Sequence, residues 1–267
     1  MRVLSLNAWG GRLHDRLPPY LVGADPDVLC LQEVVRAPAA EAPWLVYRDG
    51  GVELPQRANL FREVAEALPD HAAFFCPAAR GPLFDGGRAV ASEWGLATFV
   101  RRGHPVIGQA QGFVHGDFAP DGFGEHPRPR NAHAVRVFDD RGGFALTVAH
   151  LHGLRDPAGK HDTPARRAQA EALIRTIRTV ARPGERLVVC GDLNVLPGSE
   201  TLAMLRATGL AELVTSRGHA GTRTSFYPKP GRFADYMLVS PEARVVSFDV
   251  VAEPEVSDHR ALLVELA

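Results

Sequence analysis

The sequence predicts an α/β protein on mixed β-sheet, and three observations predict it. Short apolar, β-rich runs recur from end to end of the 267 residues, a few stretches between them carry helical spacing, and the composition is that of a globular chain. Hydrophobic residues make up 45 % and charged residues 23 %, which rules out global disorder. Surface scaling gives a folded area of roughly 11,000 Å² against about 42,000 Å² extended, an upper estimate of burial that is ample for one large core. No apolar run reaches the ~18 residues of a membrane span. The net charge of −1 argues against non-specific coating of nucleic acid, while leaving room for a local basic groove.

The strand-like runs, in order, are Val3–Leu6, Val28–Leu31, Ala72–Cys76, Leu96–Val100 and Ala134–Phe138, then Phe144–Ala149, Leu187–Cys190, Tyr236–Val239, Val245–Val251 and Ala261–Leu266. The strongest helix signal is Pro164–Val180. Thr163 caps it, Pro164 suits its first turn, and Ala168, Ala172, Leu173, Ile177 and Val180 recur at helical spacing. Asn59–Leu68 and Glu200–Thr208 are shorter helices, the second stopped by Gly209. Residues 115–131, dense in Gly, Pro, Asp, His and Arg, read as a long loop, and such loops are more often functional than idle. The amino terminus is too short in its apolar part for a secretory signal. Cys30, Cys76 and Cys190 read as buried thiols in a reducing compartment, so the cytoplasm is the expected location.

Four apolar runs end in polar residues able to do chemistry: Asn7, Gln32-Glu33, His150-Leu-His152 and Asp192-Leu-Asn194. Near-continuous apolar strands are buried on both faces, and the carboxyl ends of such strands are where open α/β sheets bind ligands. Each residue alone reads equally well as a turn former. Four such ends together predict one crevice. Glu33 and Asp192 are carboxylates suited to a hard divalent cation, with amide groups from Asn7 and Asn194, a donor set that favours Mg²⁺ or Mn²⁺. The His150-x-His152 pair is also compatible with zinc, but no compact third and fourth ligand follows. Two-residue spacing places Asp192 with Asn194, and His150 with His152, on common faces.

Near the carboxyl end, Ser257-Asp258-His259 precedes the last apolar run. An adjacent Asp-His pair serving one site requires a turn or bulge. Asp235 opens a buried strand-like run, where an acid needs a partner, and His259 is the natural one. Glu93 is a similar anomaly, with His150 as its expected partner or an exposed strand start as the simpler account.

The ordered set Leu-Ser-Leu-Asn7, Leu-Gln-Glu33, Val-Ala-His150-Leu, Gly-Asp192-Leu-Asn194, Asp235-Tyr and Ser-Asp258-His259 resembles the endonuclease/exonuclease/phosphatase superfamily, the deoxyribonuclease I-like group. The resemblance spans the chain, so residues 1–267 are expected to form a single domain of that type. It implies a four-layered α/β sandwich, two packed mixed sheets flanked by helices, and Mg²⁺- or Mn²⁺-dependent hydrolysis of a phosphodiester by in-line attack of water. It further implies that Glu33 is the principal metal ligand, with Asn7 and Asp258 close by, and that Asp192 orients or deprotonates the water. Asn194 then holds phosphate or water, His259 bonds the phosphate and is positioned by Asp235, and His150 is supported by Glu93. One departure is Trp9, which stands where abasic-site endonucleases place an acid.

The substrate is open at this level. Arg128, Arg130, Arg166 and Arg167 are candidates for a phosphate track on a nucleic acid, with Trp9 and Phe123 for stacking. Phe113, Phe118 and Phe123 suit a small or lipid phosphoester equally well, as a phosphatase or phospholipase C-like hydrolase would need. His152, Arg130 and Arg167 are expected on the substrate. A rival from another class, a binding module with a silent site, is disfavoured because every motif residue is present.

Overall fold

The computed structural model describes residues 1–267. In chain order the first elements are β1 (Arg2–Asn7), α1 (Leu17–Ala24), β2 (Val28–Arg36), β3 (Trp44–Asp49), β4 (Val52–Arg57), α2 (Leu60–Ala67), β5 (His71–Asp85), β6 (Arg88–Arg101) and β7 (Val106–His115). The second half holds β8 (Arg130–Asp139), β9 (Phe144–His152), α3 (Pro164–Arg178), β10 (Arg186–Asp192), α4 (Glu200–Ala207), β11 (Ala211–Glu212), β12 (Asp235–Val239), β13 (Val245–Val250) and β14 (Leu262–Leu266). One sheet has eight strands in the order β13-β14-β1-β2-β6-β5-β3-β4, the other six in the order β11-β12-β10-β9-β8-β7. Each is mixed, with β1–β2 parallel in the first and β9–β10 parallel in the second. The fold is an α/β sandwich of two mixed sheets flanked by helices.

Side-chain alternation builds the layers. Leu4, Leu6, Leu29, Leu31, Ala97 and Phe99 turn outward from the first sheet and pack with Leu17 and Leu21 of α1 and Leu60 and Val64 of α2. The intervening residues Val3, Val28, Cys30 and Val100 turn inward and join Val148, Val188, Cys190 and Met237 of the second sheet. Leu173, Ile177, Leu202 and Leu205 bring α3 and α4 against that second sheet in the same cluster. All three cysteines are buried and free. No helix is long and apolar enough to cross a membrane.

α3 starts where expected, with the Thr163 hydroxyl accepting from Arg166 N, and Ser199 caps α4 in the same way. α1 was not expected, because Pro18, Pro19 and Gly23 weaken the helical signal. The prolines stand in its first turn, where no N–H is required, and burial of Leu17 and Leu21 holds it. β3, β4, β7 and the outer halves of β5 and β6 were also missed. Their outward faces are polar or exposed, so they lack continuous apolar runs. The long loop is Gly116–Pro129, and Ala119 bridges Ala79 on β5.

Candidate active site

The parallel pairs β1–β2 and β9–β10 bring their carboxyl ends to one edge of the sandwich. Inward alternation continues along them, so the layer between the sheets turns polar there: Asn7 on β1, Gln32 on β2, His150 and His152 on β9, Asp192 on β10. β2 does not stop at Gln32-Glu33, as the apolar run suggested. It bulges there, the register to β6 shifting between Leu31 and Val34, and then continues to Arg36. Glu33 takes a left-handed φ of 55°, which turns its carboxylate out of the pleat. Trp9, Phe123 and Asn194, all around the same cleft, also have φ between 51° and 65°. Such strain in residues other than glycine gathers where a site demands it. Gly153 and Gly191 let β9 and β10 close over each other, since a Cβ on either would stand 2.2–2.3 Å from a carbonyl oxygen of Leu193 or Leu151.

The polar groups interlock across long stretches of chain. Asn7 Nδ2 donates to Asp192 Oδ2 at 3.1 Å, and Asn194 N donates to Asp192 Oδ1 at 3.0 Å. Asn194 Nδ2 reaches Gly153 O at 3.3 Å. His152 Nε2 lies 3.8 Å from Glu33 Oε1 and 3.7 Å from Asp192 Oδ2. His259 Nδ1 sits 2.9 Å from both oxygens of Asp235, which also accepts from Thr222 Oγ1 at 2.7 Å. The other ring nitrogen is 3.6 Å from Asp192 Oδ2. The Ser257-Asp258-His259 segment is irregular, as the adjacent pair required. Ser257 Oγ donates to Asn7 O at 2.6 Å and ties it to the end of β1.

Charge and burial set the protonation states. Burial, with Asp258 and then Asp192 nearby, pushes the Glu33 carboxyl up to about 7, against the help of Asn7. Burial likewise raises Asp235 to about 6 and lowers His259 to about 4. At neutral pH the pair is therefore an ionised Asp235 and a neutral His259 that donates Nδ1–H to it and accepts at Nε2 from Arg223. Arg223 Nη1 also bonds Asp258 Oδ2 at 2.9 Å, with its guanidinium 4.2 Å from the Tyr227 ring centroid. Burial lowers the Arg130 guanidinium to about 10. Its Nε and Nη1 are held by Gly153 O and Pro129 O, and it lies 4.9 Å from the Trp94 ring centroid.

At this corner Glu33 feels the charges of Asp258 and Asp192 and is hard to ionise as it stands, and Asp258 Oδ1 is buried without a hydrogen-bond partner, although the three carboxylates are not drawn into one tight cluster. A hard divalent cation on oxygen ligands fits that corner. Asp192, Asp235 and His259 also hold one donor atom each within 4.8 Å of one another. Both Asp235 oxygens are committed to His259, and one of them to Thr222, so this second cluster is a hydrogen-bonded chain and a poor cation cage.

Asn7, Glu33, His152, Asp192, Asn194, Asp235, Asp258, His259 and Arg130 are therefore brought together. His150 is not in the cleft. It lies one layer deeper on the same face, its Nδ1 3.3 Å from Gln32 Nε2 and its Nε2 2.8 Å from Thr98 Oγ1, which continues to His133 Nδ1 at 2.7 Å. The expected Glu93–His150 pair does not form. Glu93 is bonded by Arg36, at 2.6 Å, because the two are opposite each other across β2 and β6. Arg167 pairs with Glu200 and Glu171 on the α3–α4 side. Arg166 is buried and holds the carbonyls of Leu154, Gly159 and His161. Arg223 and Thr222 escaped sequence reasoning, since no apolar run leads into them. Lys160, whose Nζ donates to Phe233 O at 2.5 Å, stands close enough to Asp192 to feel its charge.

With this geometry in hand the chain can be placed. Its sequence matches the Endonuclease/Exonuclease/phosphatase family over residues 4–259, and the chain belongs to that family. The members are hydrolases of phosphoester bonds. Among solved structures it is similar to a mannosyl-6-phosphatase of Bacteroides thetaiotaomicron, with 17 % identity, TM-score 0.70, and 100 % of this chain and 99 % of that chain covered. A family protein of Beutenbergia cavernae aligns at 19 % identity and TM-score 0.71 over 99 % of this chain and 70 % of that one. The human nocturnin catalytic domain with a bound sulfate anion aligns at 18 % and 0.66, over 99 % and 93 %. At these identities the likeness is one of fold. A search of curated protein sequences returned no match.

Proposed function

We propose that the protein is a divalent-metal-dependent hydrolase of small phosphoesters, using Mg²⁺ or Mn²⁺. The observation that carries this is the convergence of Glu33, Asp192 and Asp258 with the His259–Asp235 pair at one edge of the sandwich. Glu33 would hold the ion with Asn7 and Asp258. When bound, the ion supplies positive charge to the phosphate oxygens as the reaction proceeds. Asp192, fixed by Asn7 and by the backbone of Asn194, is placed to orient water and take its proton for in-line attack on phosphorus. Arg223, held by Asp258 and by His259 Nε2, is placed to present its guanidinium to the phosphate, and His259 would bond the phosphate through Nε2 on taking up a proton, while Asp235 and Thr222 keep the imidazole in register. Arg130 and Lys160 add fixed positive charge, and Asn194 holds the water or a phosphate oxygen. Much of the work is positioning and charge, as such transfers require. His150, bonded to Gln32, the residue before Glu33, acts as a positioning residue.

A small phosphoester is favoured over a nucleic acid by the arginines. Of the four candidates for a phosphate track, Arg128 is committed to Asp49 and Tyr47, Arg166 to three carbonyls and Arg167 to two acids. Only Arg130 is left beside the site. The three free buried thiols support a reducing, cytoplasmic setting. The test is hydrolysis of nitrophenyl phosphate, bis(nitrophenyl) phosphate and single- and double-stranded DNA, with Mg²⁺, Mn²⁺ or chelator and with His259→Ala as control. Turnover of an aryl ester that needs metal and His259 is the expected result, and mono- against diester preference is read from the same assay. Metal-dependent cleavage of DNA that falls with salt would return the reading to a nuclease.

A further inference from the structure

The candidate site continues into a cavity of about 410 Å³ that reaches from Glu33, Arg130 and His152 to the β3–β4 hairpin and the Gly116–Pro129 loop. We infer that this cavity takes the organic half of the ester, and that this half is flat and apolar, an aromatic or heteroaromatic group of one or two rings. The inference rests on the hydrolase reading and deepens it. The volume lies near the lower end of the roughly 300–1,000 Å³ typical of small-molecule sites.

The lining decides the chemistry. Trp94, Phe123, Tyr47, Val35, Leu54 and Leu83 supply the apolar part of the wall, and Gln56, His126 and Arg155 stand among the polar residues beside them. The rings are fixed by their neighbours. Tyr47 and Phe123 lie 5.9 Å apart at 59°, and Arg128 sits 5.3 Å from the first and 5.9 Å from the second. Trp94 has Arg130 at 4.9 Å and the His152 ring at 5.3 Å. Phe123 adopts its left-handed backbone there, and its ring fills the space beside Gly81, where a Cβ would stand 2.7 Å from the ring.

Several polar groups of the lining already have partners. Asp49 accepts from Arg128 and from the Tyr47 hydroxyl, Glu93 is bonded by Arg36, and Ser92 Oγ donates to Val90 O. A sugar or other polyol would have to draw on Gln56, His126 and Arg155 for its hydroxyls, and each one left buried without a partner is costly. A flat ring loses no hydrogen bonds and gains aromatic contact on several sides. Its phosphate would then lie at the Glu33–Arg130 end. Water adds to phosphorus, the P–O ester bond breaks, and the aromatic alcohol leaves with the proton that balances it.

The test is steady-state hydrolysis with Mg²⁺ of naphthyl phosphate, phenyl phosphate, a hexose phosphate and a single-stranded oligonucleotide. The expected order of kcat/KM is naphthyl, phenyl, hexose, with at least tenfold between first and last and the difference carried by KM. Trp94→Ala is expected to raise KM for naphthyl phosphate about tenfold with kcat little changed, and Trp94→Phe to restore most of it. Gly81→Ala, which drives the Phe123 ring toward the cavity, is expected to raise the same KM and leave the hexose ester alone. Equal or better use of the hexose ester or the oligonucleotide would overturn the inference and leave the hydrolase standing. If no ester is turned over, the hydrolase reading falls, and the cavity is read by calorimetry with naphthyl phosphate. Binding that Trp94→Ala abolishes upholds the inference; no binding overturns it.

Discussion

The two ends of the cleft are built by different means. At the chemical end, polar side chains sit on strand ends or on a bulge and bond one another across the whole chain, as Asn7 does with Asp192 and Ser257 with the Asn7 carbonyl. At the other end, the wall comes from a hairpin, a long ribbon and a loop, and its contacts are between rings and arginines. Strand ends buried in two sheets fix positions to within small tolerances, which bond-making requires. Hairpin tips and loops vary at less cost to the core, which suits the choice of substrate. The chemistry is therefore expected to be indifferent to the pocket, and the pocket to the chemistry.

The largest effect is expected where the chemical end is cut. Asp192→Asn keeps the shape but removes the carboxylate placed to take the proton, and turnover is predicted to fall by about a hundred- to a thousandfold on every ester, about 2.7–4 kcal/mol of barrier. A loss confined to one ester would break the division between the ends. Arg223→Ala leaves Asp258 and His259 without their shared partner, and is predicted to lower kcat/KM by about ten- to a hundredfold across substrates, read from initial rates. Below the site, Thr98→Val removes the hydroxyl between His133 and His150, both buried. Its predicted effect is a loss of about 1–3 kcal/mol of stability, seen as a lower Tm.

The pH dependence of stability follows from the same layer. His133 and His259 are held at about 4 in the fold, chiefly by burial, against about 6.5 in an unfolded chain. The unfolded state takes up protons first as pH falls, so the stabilisation is full above about 6.5 and is lost progressively down to about 4. Glu33 and Asp235, raised to about 7 and about 6, contribute with the opposite sign over the same range, so the histidine contribution is read as a difference. In melting scans between about pH 7 and about pH 4.5, His133→Asn is predicted to lose less stability on acidification than the wild type. The smallest effect is at Arg167. Its ion pairs are exposed and outside the cleft, so Arg167→Ala is predicted to change turnover less than about twofold and stability by no more than about 0.5 kcal/mol.

The same contrast explains what could be read from the sequence. The chemical end was legible because an Asn, Glu, His or Asp closing an apolar run is conspicuous, and because α2, α3 and α4 carry ordinary spacing, with side-chain caps on the last two. The Glu33 bulge was not, since a residue's φ leaves no mark in an apolar run. Glu93 was assigned to His150 by proximity to a strand start, yet cross-strand register gives it to Arg36. Arg223 lies between two threonines with no strand leading into it. Trp94, Phe123 and Tyr47 look like packing residues anywhere along a chain, and only the folded β5–β6 ribbon and the Gly116–Pro129 loop turn them toward one cavity.

The central claim is that the corner formed by Glu33, Asp192 and Asp258 is a divalent-cation site. Calorimetric titration of Mg²⁺ into the wild-type protein and Glu33→Gln, at pH 6 and pH 8, tests it most directly. A ligand carboxyl pushed up to about 7 must give up its proton to bind the ion, so wild-type affinity is predicted to rise by about tenfold between the two pH values, and Glu33→Gln to bind weakly at both. Equal Mg²⁺ affinity in wild type and variant, or no binding by the wild type, would contradict the account.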